Sequence, residues 1–306
     1  MTVIFRAIER IKDFDGLKAM VSISGGSDSD IVIDLCHKYI KDCTYVFFNT
    51  GLEYNATLEH LDYLEERYNV SIERLKPKMS IVTSCKQYGL PFISKNVSQF
   101  IERLQSHKYD FNGECYEKDI RDYPDCISAL NWFYNKNGYG SQFNIAVNKG
   151  LREFLISEPP SFKISAKCCQ YVKKDVAKDY LKSKGFDVNI LGLRRAEKGL
   201  RSLTIKSCFN VKEDVNEYYP IWWFTDRDKR EYNRTFGIVN SRCYTEYGLL
   251  RTGCAGCPFG IYCQRELYAM MKYEPKLYHA VMNVFNDSYI YTTQYRSSVE
   301  YENFVD

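Results

Sequence analysis

Residues 19–35 contain the pattern that most constrains the fold of this chain. An apolar run from Ala19 to Ile23, interrupted by Ser22, predicts a buried strand. It stops at the glycines of Ser24-Gly25-Gly26-Ser27-Asp28-Ser29-Asp30, and an apolar series with a near-helical period follows, formed by Ile31, Val32, Ile33 and Leu35. We therefore predict a strand, a tight glycine turn and a helix in succession.

Such a turn favours an anion. It presents several backbone N–H groups at a helix N-terminus, where the macrodipole attracts negative charge, and serine hydroxyl groups add further donors. The Gly-Lys-Ser/Thr ending of a Walker loop is missing, so this is a different phosphate loop. The competing interpretation is an ordinary strand-to-helix turn that Ser24 or Ser27 caps.

Strand patterns alternate with amphipathic helix patterns along much of the chain. Residues 44–48 and 188–193 read as core strands, and a helix that carries its leucines on one face is predicted over about 57–68. This alternation predicts an α/β fold with a Rossmann-like parallel sheet. Ligands bind such sheets at the carboxyl ends of the strands, where the glycine turn and residues 49–53 both lie.

Composition limits the class of protein and its organisation. The chain has 306 residues, a net charge of +3 and 12 cysteines. We find no apolar run of about 18 residues and no secretion signal, so we expect a cytoplasmic protein that does not enter a membrane. The cysteines are then thiols or metal ligands rather than a disulfide framework. We predict one domain over 1–265 with a helical insertion at about 96–160, and a helical extension over 266–306.

Four cysteines form a pair of patterns with a long gap between them. Cys168 and Cys169 are adjacent, and Cys254 and Cys257 form a CxxC unit. Zinc sites usually pair two CxxC units, and two adjacent thiolates on one tetrahedral ion would be strained. A cubane offers a separate iron to each thiolate, so this set favours a [4Fe–4S] cluster. Zinc and buried structural thiols are the alternatives.

These motifs together resemble a known family. Residues 24–29 are similar to the SGGxDS loop of the ATP pyrophosphatase, or PP-loop, superfamily, although Ser27 stands where many members have lysine. The CC…CxxC arrangement resembles the cluster-bearing branch of the PAPS/APS (sulfonucleotide) reductases. Four further segments, 49–53, 192–197, 220–225 and 251–254, are similar to motifs of that family, with Asn49 in place of its usual aspartate.

The resemblance implies a set of site residues. Those expected to bind the nucleotide are Ser24, Gly25, Gly26, Ser27, Asp28, Ser29, Asn49, Thr50, Gly51, Glu53, Gly192, Arg194 and Arg195. Those expected to hold the cluster are Cys168, Cys169, Cys254 and Cys257. No catalytic residue is assigned.

Three functions fit this resemblance. The first is an enzyme of sulfonucleotide or sulfur-transfer chemistry, acting on PAPS or APS with a thioredoxin-like or sulfur-donor partner; the family's nucleophile is a cysteine in its C-terminal tail, and residues 296–306 contain none. The second is an ATP- and Mg²⁺-dependent sulfurtransferase that modifies nucleic acid, which a basic, aromatic insertion mildly favours. The third is a non-catalytic nucleotide-binding regulator.

Overall fold

The computed structural model describes residues 2–197 and 205–302. It divides into two compact units, each made of several segments. Unit 1 comprises residues 1–78, 172–255 and 268–277, and unit 2 comprises residues 79–171, 256–267 and 278–306. Each unit combines segments from both sides of residue 265, so the domain boundaries that we expect from the sequence stay a prediction.

Unit 1 contains a six-stranded sheet of order β3-β2-β1-β4-β6-β5. The strands are β1 (Ala19–Ile23), β2 (Cys43–Phe48), β3 (Ile72–Leu75), β4 (Val188–Leu191), β5 (Phe209–Asn210) and β6 (Asn216–Tyr218). All neighbouring pairs are parallel except β5 and β6, which are antiparallel. This topology confirms the predicted α/β fold with a mostly parallel sheet. The last two strands escaped prediction because two or three residues are too few to show a period.

Helices connect the strands and build unit 2. In unit 1 they are Val3–Ile11, Ser27–Tyr39, Asn55–Tyr68, Asp175–Lys184, Asp226–Phe236 and Arg242–Thr245. In unit 2 they are Ile81–Tyr88, Lys95–Ser106, Tyr116–Asp122, Ile127–Phe133, Leu151–Ser157 and Lys167–Cys169. Two more, Cys263–Tyr273 and Pro275–Glu302, contain residues of both units, and a π-helical turn spans Gln170–Lys174. In the described part of the chain, no helix combines the length and the apolar character that crossing a membrane requires.

Each unit has its own apolar core. In unit 1, side chains of the central strands pack against the helix that follows the glycine loop, and Val21, Ile33 and Ile190 are fully buried. In unit 2, the core combines aliphatic and aromatic side chains, and Trp132 and Phe133 are almost completely buried in it. The buried faces explain the sequence patterns, because removal of apolar area from water is the main driving force for both cores.

Candidate anion site at the glycine loop

The glycine loop joins β1 to the helix Ser27–Tyr39, as the sequence predicts. Gly25 has a φ of +65°, which side chains rarely adopt, and a Cβ there would lie 2.7 Å from Cγ2 of Thr57. A Cβ on Gly26 would lie 2.9 Å from Oγ1 of Thr252 and 3.2 Å from the hydroxyl oxygen of Tyr244. Both glycines are thus required by close packing around the loop.

Hydroxyl groups line the loop and accept hydrogen bonds from its backbone N–H groups. The backbone N–H groups of Ser24 and Gly26 donate to Oγ of Ser29 at 3.3 and 3.1 Å. Ser27 N–H donates to the Tyr244 hydroxyl at 3.3 Å. An oxyanion is a stronger acceptor than a hydroxyl oxygen, so these donors suit a bound anion as well as they suit the serine and the tyrosine.

Asp28 is the centre of an ion-pair cluster on this loop. Its Oδ1 lies 3.0 Å from Nε of Arg194 and 2.7 Å from Nζ of Lys229, and Arg194 also binds Asp226 at 2.8 Å. Burial works to raise the pKa of Asp28, but the ammonium of Lys229 and the other partners outweigh it and hold the pKa below its usual value. The carboxylate of Asp28 is therefore ionised at neutral pH.

Glu197 adds a second carboxyl group to this cluster. The residue as a whole is exposed, but its carboxyl group is partly buried. This burial and a hydrogen bond with Asp28 raise the pKa of Glu197 to about 7. The folded protein thus holds a proton on Glu197 between its ordinary pKa and about 7, whereas the unfolded chain releases that proton.

This raised pKa predicts a pH-dependent stability. Since the folded state binds the extra proton, the free energy of unfolding should fall as the pH rises from about 4.5 to about 7. Glu197→Gln mimics the protonated group, so we expect the variant to match the wild type near pH 5 and to be the more stable of the two near pH 8. Thermal unfolding of both proteins across this range measures the difference. Parallel curves would contradict the assignment.

The segment after β2 forms a self-contained loop at the same edge of the sheet. The N–H and the hydroxyl of Thr50 both donate to Oε1 of Glu53, at 3.0 and 2.7 Å, and Gly51 N–H donates to Oδ1 of Asn49 at 2.9 Å. Burial raises the pKa of Glu53. The structure therefore brings Asn49, Thr50, Gly51 and Glu53 together, with the Glu53 carboxyl group turned inward to Thr50.

The segment after β4 packs directly on the glycine loop. A Cβ on Gly192 would lie 3.0 Å from the carbonyl carbon of Asp28, a contact tighter than most, so glycine permits this approach with the least strain. Arg194 is buried against Asp28, whereas Arg195 is exposed and its guanidinium lies over the ring of Trp223. The two predicted arginines therefore differ, and only Arg194 contacts the loop.

Three cysteines of unit 2 interact with the thiol of Cys168. They are Cys169, Cys85 and Cys257. The hydrogen bond with Cys169 works to lower the pKa of Cys168, but the hydrogen bond with Cys85 and burial outweigh it, so that the pKa lies well above its usual value. Cys254 belongs to unit 1.

These thiols fit an iron–sulfur cluster in chemistry, because thiolates are its usual ligands. Three of the four predicted ligands lie in the same unit, and the sulfur-rich surroundings of Cys168 suit iron. As the side chains are placed, however, no three His, Cys, Asp or Glu residues within 2–197 and 205–302 form a group that could hold a metal ion. The cluster therefore stays a prediction.

Several residues of the site escaped prediction. Lys229, Tyr244 and Thr252 reach the glycine loop from more than 200 positions further along the chain. Glu197 lies within a segment that resembles a family motif, but only Gly192, Arg194 and Arg195 of that segment were predicted as site residues. Cys85 stands alone in the sequence, without a neighbouring cysteine to suggest a role.

Known proteins match a segment of the chain that contains the glycine loop. Residues 18–111 match the phosphoadenosine phosphosulfate reductase domain family. A stretch of 102 residues is 35% identical to the uncharacterized protein MJ0066 of Methanocaldococcus jannaschii, covering 33% of this chain and 21% of that protein. Another of 75 residues is 31% identical to adenosine 5'-phosphosulfate reductase 2 of Bacillus subtilis, covering 24% of this chain and 32% of that one.

These matches support the predicted resemblance. Residues 18–111, which contain the glycine loop, match the PAPS reductase domain family. The chain spans about a fifth to a third of the length of the curated relatives it matches.

Solved structures give weaker likenesses. The PAPS reductase of Candida auris in a phosphate complex has a TM-score of 0.43 at 13% identity, over 81% of this chain and 86% of that one. The U34-tRNA thiolase NcsA of Methanococcus maripaludis with its [4Fe–4S] cluster has a TM-score of 0.40 at 10% identity, over 97% and 80%.

Proposed function

We propose that this chain is an enzyme of sulfonucleotide or sulfur-transfer chemistry, and that it binds an adenine nucleotide at the glycine loop. The observation that carries the proposal is that the family match contains a loop whose N–H groups open a helix at the carboxyl edge of a parallel sheet. Backbone donors of this kind suit a phosphate or a sulfate group. The segments after β2 and β4 supply further groups at that edge.

We also propose that Cys168, Cys169, Cys254 and Cys257 hold a [4Fe–4S] cluster. Such a cluster can exchange electrons or hold sulfur. Near its proposed ligands, Lys167 carries a positive charge that pairs with Glu102 at 3.2 Å and lies over the ring of Tyr88. This ammonium would offset the negative charge of four thiolates.

The reaction is tested on anaerobically purified wild-type protein. PAPS or APS with a dithiol is supplied in one assay, and ATP with Mg²⁺ in another. Sulfite and the desulfated nucleotide, formed as the dithiol becomes a disulfide, would support sulfonucleotide reduction. AMP and pyrophosphate from ATP would instead support an adenylating sulfurtransferase and count against the reductase. Failure of both nucleotides to bind would overturn the proposal.

The cluster has its own test. We expect wild-type protein to retain about four iron atoms per chain, the content of one cubane, and Cys168→Ser to lose most of them because one ligand is gone. Cys115→Ser is the matched control, since Cys115 is an exposed thiol of the same unit. Iron analysis and the visible absorption spectrum measure the content. Equal iron in the two variants would contradict the assignment of Cys168.

A further inference from the structure

The glycine loop lacks a positive charge of its own. Residues 24–30 contain serine, glycine and two aspartates, and no lysine or arginine. Asp30 is fully buried and bonds His60 at 3.0 Å, whereas Asp28 is partly exposed on the first turn of the helix. An anion held at this helix N-terminus would meet the charge of Asp28, so the favourable field must come from another part of the chain.

Lys229 brings a positive charge to this turn. Its ammonium donates to Oγ of Ser27, the first residue of the helix, and lies 2.7 Å from Oδ1 of Asp28. The Lys229 side chain is 18% exposed, so water screens its charge less than that of a surface lysine.

The position of Lys229 is fixed by the start of its own helix. Thr225 caps the helix Asp226–Phe236, and its hydroxyl and N–H donate to the carboxylate of Asp228 at 2.6 and 2.8 Å. Lys229 follows in the first turn, and its backbone N–H donates to Thr225 at 3.0 Å. The ammonium is therefore directed at the glycine loop before any ligand binds.

The two arginines after β4 are less suited to an anion. Arg194 already pairs with Asp28 and Asp226, and Arg195 is exposed above Trp223. In contrast, Lys229 pairs with one carboxylate and one neutral hydroxyl among the described residues. An ammonium has three N–H donors, so these two contacts leave one for an oxygen of a ligand.

We propose that Lys229 is the residue that supplies the cation of the glycine loop, binding a phosphate or sulfate oxygen of the nucleotide. This inference rests on the proposed function, because it assumes an anionic ligand at the loop. Lys229 contacts the loop at Ser27. It thereby completes an anion site whose amide donors come from the loop itself.

The test compares charged and uncharged ligands. Lys229→Ala should weaken ATP binding at least about tenfold, as expected for a lost charge-assisted hydrogen bond, and should leave adenosine binding unchanged. Arg230→Ala removes an equal charge from an exposed position of the same helix and should change neither affinity. Lys229→Arg should retain most of the ATP affinity. The double variant Ser27→Lys with Lys229→Ala places a lysine at the residue that Lys229 contacts, and it should restore part of the ATP affinity.

The outcomes separate this inference from the proposed function. If Lys229→Ala binds ATP as the wild type does, or loses ATP and adenosine affinity equally, the inference is overturned. Inorganic pyrophosphate is the third probe. If the wild type binds pyrophosphate in a Lys229-dependent way but binds no nucleotide, the proposed function fails, while the role of Lys229 as the cation of an anion site is upheld.

Discussion

Replacement of Gly89 by alanine is expected to destabilise unit 2 by roughly 2–5 kcal/mol, the sum of a strained backbone and lost hydrogen bonds. Gly89 ends the helix Ile81–Tyr88 with a φ of +122°, a conformation that is open to glycine almost alone. An added Cβ would lie 2.3 Å from the carbonyl oxygen of Lys163 and 2.9 Å from the nitrogen of Ile164. Both are backbone atoms and cannot rotate away.

The clash falls on a junction that positions the cysteines of unit 2. Leu90 N–H donates to Lys163 at 2.8 Å, and Ser165 N–H donates back to Leu90 at 2.9 Å. This short parallel bridge joins the helix that carries Cys85 to the residues just before Cys168. Separation of the two bridged segments should therefore move the thiols of Cys85 and Cys168 apart as well as lower stability.

Gly138→Ala is the matched control for this prediction. Gly138 lies in the same unit and has a φ of +87°, but nothing lies within 4 Å of an added Cβ. Gly138→Ala should lower the free energy of unfolding by about 1 kcal/mol, from backbone strain alone. Denaturant unfolding, followed by hydrogen exchange of peptides from residues 79–171, measures both variants. Equal losses would show that the close contact at Gly89 is relaxed without cost.

The second large effect is expected at Asp34, inside unit 1. Asp34 is 1% exposed and accepts hydrogen bonds from the hydroxyl groups of Tyr232 at 2.7 Å and Tyr68 at 3.1 Å, and from Lys38 at 2.7 Å. Asp34→Ala would leave two phenol groups without their buried acceptor. Since each unsatisfied buried group costs about 1–3 kcal/mol, we expect a loss of roughly 2–5 kcal/mol.

Asp34 matters to the site because it anchors the helix Ser27–Tyr39. Tyr68 holds it from the helix Asn55–Tyr68, and Tyr232 holds it from the helix that carries Lys229. The same carboxylate thus ties together the two helices whose first turns meet at the glycine loop. Loss of Asp34 should weaken anion binding at the loop in addition to stability.

Two variants test this account of Asp34. Lys38→Ala removes the partly exposed ion pair and the contact of its ammonium with the Phe236 ring, and should cost about 1 kcal/mol. Tyr232→Phe in the Asp34→Ala background should recover stability, because it removes one of the stranded hydroxyl groups. Thermal or urea unfolding of the wild type, Asp34→Ala, Tyr232→Phe and the double variant measures this coupling. Strictly additive losses would show that the tyrosine and the aspartate act independently.

Short-range patterns of the sequence were sufficient for the central part of the fold. The strand from Ala19 to Ile23, the glycine turn and the following helix are encoded within about fifteen residues, where burial, glycine conformation and helical period agree. Because neighbouring strands are parallel, the segments that follow them lie at the same edge of the sheet.

The tertiary structure alone decided which side chains meet there. Lys229, Tyr244 and Thr252 reach the loop across more than 200 residues, and no local period records such contacts. It also distinguished Arg194 from Arg195 and placed Cys85 beside Cys168. The physical reason is that local propensity acts between neighbours in the chain, whereas these contacts depend on how strands align and helices pack after the chain has folded.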